Sequence, residues 1–189
     1  LILEVLKLIL RMQEIITRVP RTIMEVFKML PETTLAEVID NQLYMSPAPI
    51  LRHQRVTSKL WKVLDQYVED EDLGEVFISP ADVFLDEESN AVQPDIFFIS
   101  KGRLDIADDN GGVHGVPDLI IEVLSPGNSQ HDKVKKKELY QKFGVKEYWI
   151  VDPETRKAIG YSFVKDSFQL LPESVGKISS PLLKQTFYF

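Results

Sequence analysis

The sequence has no cysteine and only three histidines in 189 residues. The missing cysteine excludes a disulfide scaffold, thiolate zinc or iron–sulfur sites and a cysteine nucleophile, and it fits the reducing cytoplasm expected for this chain. His53, His114 and His131 show no metal-ligand spacing, and nothing in the order of residues points to a Ser–His–Asp arrangement. No charge-free run approaches ~18 residues, so no membrane-spanning helix is expected. Positive charge is also in deficit. Against 29 Asp and Glu stand 22 Lys and Arg, a net charge of −7. A protein that lives on non-specific nucleic-acid affinity is usually basic, so any such contact here must be local or metal-assisted.

What is present is ordinary globular material: 44% of residues are apolar and 27% charged. The length suits one domain, over residues 20–189, with a small appendage at 1–19. In that appendage Glu4, Lys7, Arg11, Glu14 and Arg18 fall at steps of three and four, on one stripe of an otherwise apolar helix. Charges interrupt it too often for a secretory signal. The expectation is a helix docked on the domain or on a second copy, and a homodimer.

Along the rest of the chain, a short helix is expected from Thr22 to Leu30, ended by Pro31. A hairpin follows over Ala36–Ser46, turning at Asp40-Asn41. Val56, Leu60, Val63, Leu64 and Tyr67 recur at helical spacing in a helix from Leu51 to about Val68. Strands are expected at Gly74–Ile78, Asp82–Leu85, Ile96–Ser100, Leu119–Leu124 and Glu147–Val151. Residues 101–117 read as a glycine-rich loop. A helix is expected from about Asp132 to Phe143, stopped at Gly144, and a hairpin from Ala158–Val164 and Phe168–Leu171 about Lys165-Asp166. The order predicts an α+β protein of the broad α/β class: a central mixed sheet flanked by helices, with an N-terminal hairpin.

One strand is chemically odd. Glu122 lies inside the apolar run Leu119-Ile120-Ile121-Glu122-Val123-Leu124, and a carboxylate in a doubly buried strand is costly unless it is paired, hydrogen-bonded or bound to a cation. Asp118 shares its face but lies ~13 Å away at ~3.3 Å per residue, too far for one ion. Asp95, after Pro94 at the head of another strand, is the better second carboxylate. Asp118, after Pro117, reads as the residue that fixes the start of its strand. The lysine-rich helix adds a third element. At 100° per residue Lys136 falls in the middle of the apolar face made by Leu139, Tyr140 and Phe143, with Asp132 beside it. Lys135 and Lys137 point outward and Lys133 sits at the margin. A core-facing lysine must snorkel, lose its charge or meet an acid. Glu122 and Asp132 are both available as that acid.

The stretches Pro117–Pro126, Asp132…Lys136…Tyr140 and Gly144–Pro153, with Gln93-Pro94-Asp95, His53-Gln54 and Ala36–Pro47 upstream, closely resemble the Uma2 family of restriction-endonuclease-like proteins, in the PD-(D/E)XK nuclease superfamily. The similarity runs from about Ile23 onward. The resemblance implies a restriction-endonuclease-like core with a metal site in which Asp95 fills the Asp position and Glu122 the Asp/Glu position. The usual lysine position, two residues after Glu122, is Leu124 here, and Lys136 on the next helix takes its place. Glu37 and His53 match family positions and are carried, with Asp118, Asp132 and Tyr140, as groups around the site. His53 also reads as a capping or exposed residue near a helix start.

The function implied is hydrolysis of DNA phosphodiester bonds with Mg²⁺, or Mn²⁺ in its place. Asp95, Glu122 and the carbonyl of Val123 would hold the ion, Lys136 would act on the transition state, and Lys133, Lys135 and Lys137 would touch phosphates. The alternative is a catalytically inactive module of the same fold that binds nucleic acid or protein.

Overall fold

The computed structural model describes residues 20–31, 33–109, 111–125 and 131–189, the side chains of 131–133 excepted. The expected helix at 1–19 and the side chains of Asp132 and Lys133 lie outside the described residues. Helix α1 spans Ile23–Lys28, opened by Thr22, whose side chain accepts the Glu25 N–H. Strands β1 (Ala36–Ile39) and β2 (Gln42–Met45) form the hairpin. Its turn residues Asp40 and Asn41 both have positive φ, 47° and 60°, the conformation that matches the twist of a two-residue hairpin and that Asn and Asp tolerate.

Helix α2 covers Leu51–Asp70. After it come β3 (Gly74–Ile78), the two-residue strands β4 (Val83–Phe84) and β5 (Ala91–Val92), and β6 (Ile96–Ser100). The expected loop 101–117 is not structureless. It holds a 3₁₀ helix, Lys101–Ile106, and strands β7 (Ala107–Asp108) and β8 (Gly112–His114). The glycines hid a short strand whose Val113 pairs with Val83 and is buried. Next is β9 (Leu119–Val123). The following helix opens with a π-helical turn, His131–Lys136, and becomes α-helical (α3) only over Lys137–Phe143, so a uniform 100° projection holds only for its second part. Gly144, at φ 75°, closes it in the left-handed conformation. Strands β10 (Glu147–Val151), β11 (Lys157–Val164) and β12 (Ser167–Leu170) follow. Three C-terminal strands, β13 (Ser174–Val175), β14 (Lys177–Ser180) and β15 (Gln185–Tyr188), have no counterpart in the sequence reading.

The central sheet runs β12-β11-β10-β9-β6-β3, with β9 and β10 parallel and the other neighbours antiparallel, so it is mixed as expected. A second sheet runs β2-β1-β5-β4-β8-β7. Strand alternation divides the core in two. Ile96, Phe98, Leu119, Ile121, Val123 and Trp149 face α2 and the C-terminal hairpin. Phe97, Ile99, Ile120, Tyr148 and Ile150 face α3 and the second sheet. Glu122 keeps step with Ile120 and so belongs to the second face, while Asp95, just before β6, meets His53 of α2. Both lie at the end of the central sheet where the chain arrives from β5.

Candidate active site

Strands β6 and β9 are antiparallel, with Ile96 opposite Ile121. One residue further along, Asp95 and Glu122 stand beside each other across the strand pair. The junction is tied by the Asp95 carboxylate: Oδ2 accepts the Val123 N–H at 2.7 Å and lies 3.1 Å from His53 Nε2. His53 comes from the first turn of α2. It is neither a cap nor exposed but buried, and Thr57, one turn on, donates to its main-chain carbonyl. His53 and Thr57 continue the buried stripe Leu60, Leu64, Val68 toward the N-terminus. The same stripe that packs the sheet thus ends on the carboxylate.

Glu122 Oε1 accepts from Lys136 Nζ at 2.9 Å and from the Tyr140 hydroxyl at 2.7 Å. The two donors are four residues apart on one helix and so lie on one face. Lys136 Nζ also lies 2.8 Å from Glu37 Oε1. All four groups are buried. A lysine between two buried carboxylates answers the solvation problem that each would have alone. Burial, then the charges of Glu122 and Glu37, hold the Tyr140 hydroxyl well above the ordinary tyrosine range, so it stays protonated and donates. Glu37 Oε1 accepts the Gln93 N–H at 2.9 Å as well, and the Gln93 amide donates to Asp82 and to the Thr34 carbonyl.

Glu37, His53, Asp95, Glu122, Val123 and Lys136 line one cavity of about 520 Å³. Its mouth is formed by the exposed segment from Met45 to Ile50 and by Ile78. Lys135 is exposed and reaches the hydroxyl of Tyr44, another lining residue, at 2.9 Å. Lys137 turns away and lies over the Tyr161 ring.

Asp118 is not part of this cluster. It faces the same side of the sheet from the other end of β9, where it accepts from Arg103, Lys146 and the Ser100 N–H. A side chain four residues away along a strand cannot reach the same centre. Gln93, Thr57 and Asp82 were not singled out from the sequence as site residues. Gln93 carried a faint signal as the polar residue directly before Pro94-Asp95. Thr57 carried one as a polar residue one turn after His53 on the apolar stripe.

The donor set fits a hard divalent cation. Mg²⁺ is commonly held by one or two carboxylates, with water and substrate phosphate completing its shell. Asp95 Oδ1 takes no hydrogen bond from the described residues, which leaves it available as a donor atom. Among the described residues no three His, Asp or Glu side chains are disposed to hold an ion by themselves. Such an ion would depend on water and on the substrate for the rest of its shell.

The mixed central sheet flanked by helices is consistent with a restriction-endonuclease-like fold. The chain belongs to the Uma2 family, described as "putative restriction endonuclease", which it matches over residues 24–184. Its fold is similar to the crystal structure of a "putative nuclease belonging to DUF820" from Anabaena variabilis ATCC 29413. The TM-score is 0.70 at 22% identity, over 87% of this chain and 92% of that one. At that identity the likeness speaks for the fold alone. No curated protein matches the chain. Among the described residues no helix is long and apolar enough to cross a membrane.

Proposed function

We propose that the protein is a Mg²⁺-dependent endonuclease that hydrolyses DNA phosphodiester bonds. The observation that carries this reading is the meeting of Asp95, Glu122 and Lys136, far apart in sequence, in one cavity. Asp95, Glu122 and the Val123 carbonyl would hold the ion, which when bound supplies Lewis-acid neutralisation of the charge that builds on the phosphate. Lys136, fixed by Glu122 and Glu37, keeps a positive charge beside the position of the reacting phosphate and stabilises the added negative charge of the transition state. Tyr140 and His53 fix the carboxylates from outside, each through one hydrogen-bonding contact. Water attacks phosphorus opposite the leaving oxygen. One P–O bond forms as the other breaks, and a proton passes from the attacking water to solvent while the leaving oxygen is protonated. Lys135, exposed beside the mouth, is placed to meet a flanking phosphate.

Purified protein with Mg²⁺ or Mn²⁺ is expected to nick plasmid DNA, and Asp95→Asn or Glu122→Gln to abolish nicking. Variants that cleave like the wild type place the activity elsewhere. The second reading, a non-catalytic module of the same fold, is favoured by the net charge of −7 and by Leu124 at the usual lysine position. Divalent titration separates the two, because an ion that binds only the folded chain raises its stability by RT ln(1 + [L]/Kd). No thermal shift in millimolar Mg²⁺ or Mn²⁺ supports the module.

A further inference from the structure

Glu37 belongs to the second sheet, yet its carboxylate meets Gln93 and Lys136, both at the site. It sits on β1, which pairs with β5 at Val38–Ala91. Directly after β5 the chain leaves the second sheet and, through Gln93-Pro94-Asp95, joins the central one at Ile96. Glu37 Oε1 holds that crossing at the Gln93 N–H, 2.9 Å away, two residues before Asp95. The same oxygen lies 2.8 Å from Lys136 Nζ, and the side chain is 8% exposed. A charge-assisted bond at that burial is strong, and leaving either partner without it is costly.

We infer that Glu37 is a positioning residue that sets two groups of the site at once, the Lys136 ammonium by direct ion pairing and the Asp95 carboxylate through the main chain of Gln93. It acts through those groups and not on the substrate. The inference rests on the proposed nuclease reading for its kinetic consequence, but its structural content does not. β1 is therefore part of the machinery, tied to the site by one carboxylate oxygen.

The test is Glu37→Gln in the full chain. It keeps the size and an oxygen able to accept from Gln93, and it removes one of the two charges that hold Lys136. Reductive methylation read peptide by peptide reports the hold on each lysine. In the wild type Lys136 is expected to react much more slowly than the exposed Lys135. In Glu37→Gln the Lys136 rate rises about tenfold or more, the cost of one lost charge-assisted bond, with Lys135 unchanged. On plasmid DNA, kcat falls about tenfold or more while KM stays within about twofold, because an interaction felt only in the transition state has been weakened. An unchanged Lys136 labelling rate, or a rise in KM at constant kcat, overturns the inference. If the variant does not fold, the wild type still decides: Lys136 methylated as fast as Lys135 sinks the proposal. If the wild type cleaves no DNA, the nuclease reading fails, and the labelling result independently shows whether Glu37 holds Lys136.

Discussion

The Asp95 carboxylate accepts the main-chain N–H of Val123 at 2.7 Å, so the residue that heads β6 is fastened to the residue that follows Glu122 on β9. One oxygen of Asp95 is thus structural, while Oδ1 takes no hydrogen bond from the described residues and is the atom the proposed ion would use. Asp95→Asn keeps an acceptor for Val123, and its unfolding midpoint is expected close to that of the wild type although nicking is lost. Asp95→Ala leaves the Val123 N–H without its acceptor and is expected to cost about 1–3 kcal/mol as well. Urea unfolding beside plasmid nicking checks both. An alanine variant as stable as the asparagine variant contradicts the structural role.

Lys136 lies between two buried acids, so its loss strands both. Lys136→Met is expected to destabilise the protein by about 3–5 kcal/mol, the usual cost of breaking a buried pair from one side. Replacing all three residues, Glu37→Gln and Glu122→Gln together with Lys136→Met, removes the stranded charges and should recover part of that loss. Denaturant titration of the two variants measures it. Equal stability of the single and triple variants would count against the charge argument.

Two buried acids outside the cavity give opposite pH responses. Glu147 accepts from Trp149 Nε1 and from the Leu182 N–H. Desolvation outweighs those bonds and raises its carboxyl above the usual value of 4.5. A raised folded pKa means that the folded state binds the proton more tightly, so the contribution of Glu147 to stability is fully present below pH 4.5 and is lost as pH rises through the folded pKa. At Asp118 desolvation also raises, but the hydrogen bonds from Lys146, Ser100 and Arg103 prevail, and its carboxyl lies below the usual 3.8. Its contribution is present above pH 3.8 and is lost as pH falls through the lowered folded pKa. Melting curves of Glu147→Gln and Asp118→Asn against wild type should therefore differ in sign of slope: the first difference grows on the alkaline side of pH 4.5, and the second shrinks in strong acid. Parallel curves rule out both assignments.

Gly160 pairs with Trp149 across β10 and β11, and a methyl group there would come within 2.5 Å of the indole ring. Trp149 is fully buried and its Nε1 is committed to Glu147 at 2.6 Å, so the ring has little freedom to move aside. Gly160→Ala is expected to destabilise by about 1–3 kcal/mol through overpacking. Thermal unfolding checks it, and a neutral substitution would mean that the ring yields.

Local chemistry made much of the fold legible before any coordinates. Asp40-Asn41 announces its hairpin because few residues tolerate two positive φ angles in succession. Gly144 announces a helix end, and the spacing of Leu60 and Leu64 gives the packed face of α2. The short strands β5, β7, β8 and β13, and the hairpin β14–β15, were not legible. A two-residue strand has no periodicity of its own and exists only because a partner supplies its hydrogen bonds. Glu122 and Lys136 were readable as anomalies, polar groups where apolar ones belong, since burial makes an unpaired charge expensive wherever it occurs.

Sequence alone determined that Glu122 and Lys136 each required a partner, since desolvation is a property of the single residue and its neighbours along the chain. Only the tertiary structure decided which partners they received: Lys136 between Glu122 and Glu37, His53 on Asp95, and Asp118 committed to Arg103 and Lys146 at the far end of β9. Those choices follow from strand register and from the crossing between two sheets, which bring together residues dozens of positions apart and separate others that share a strand.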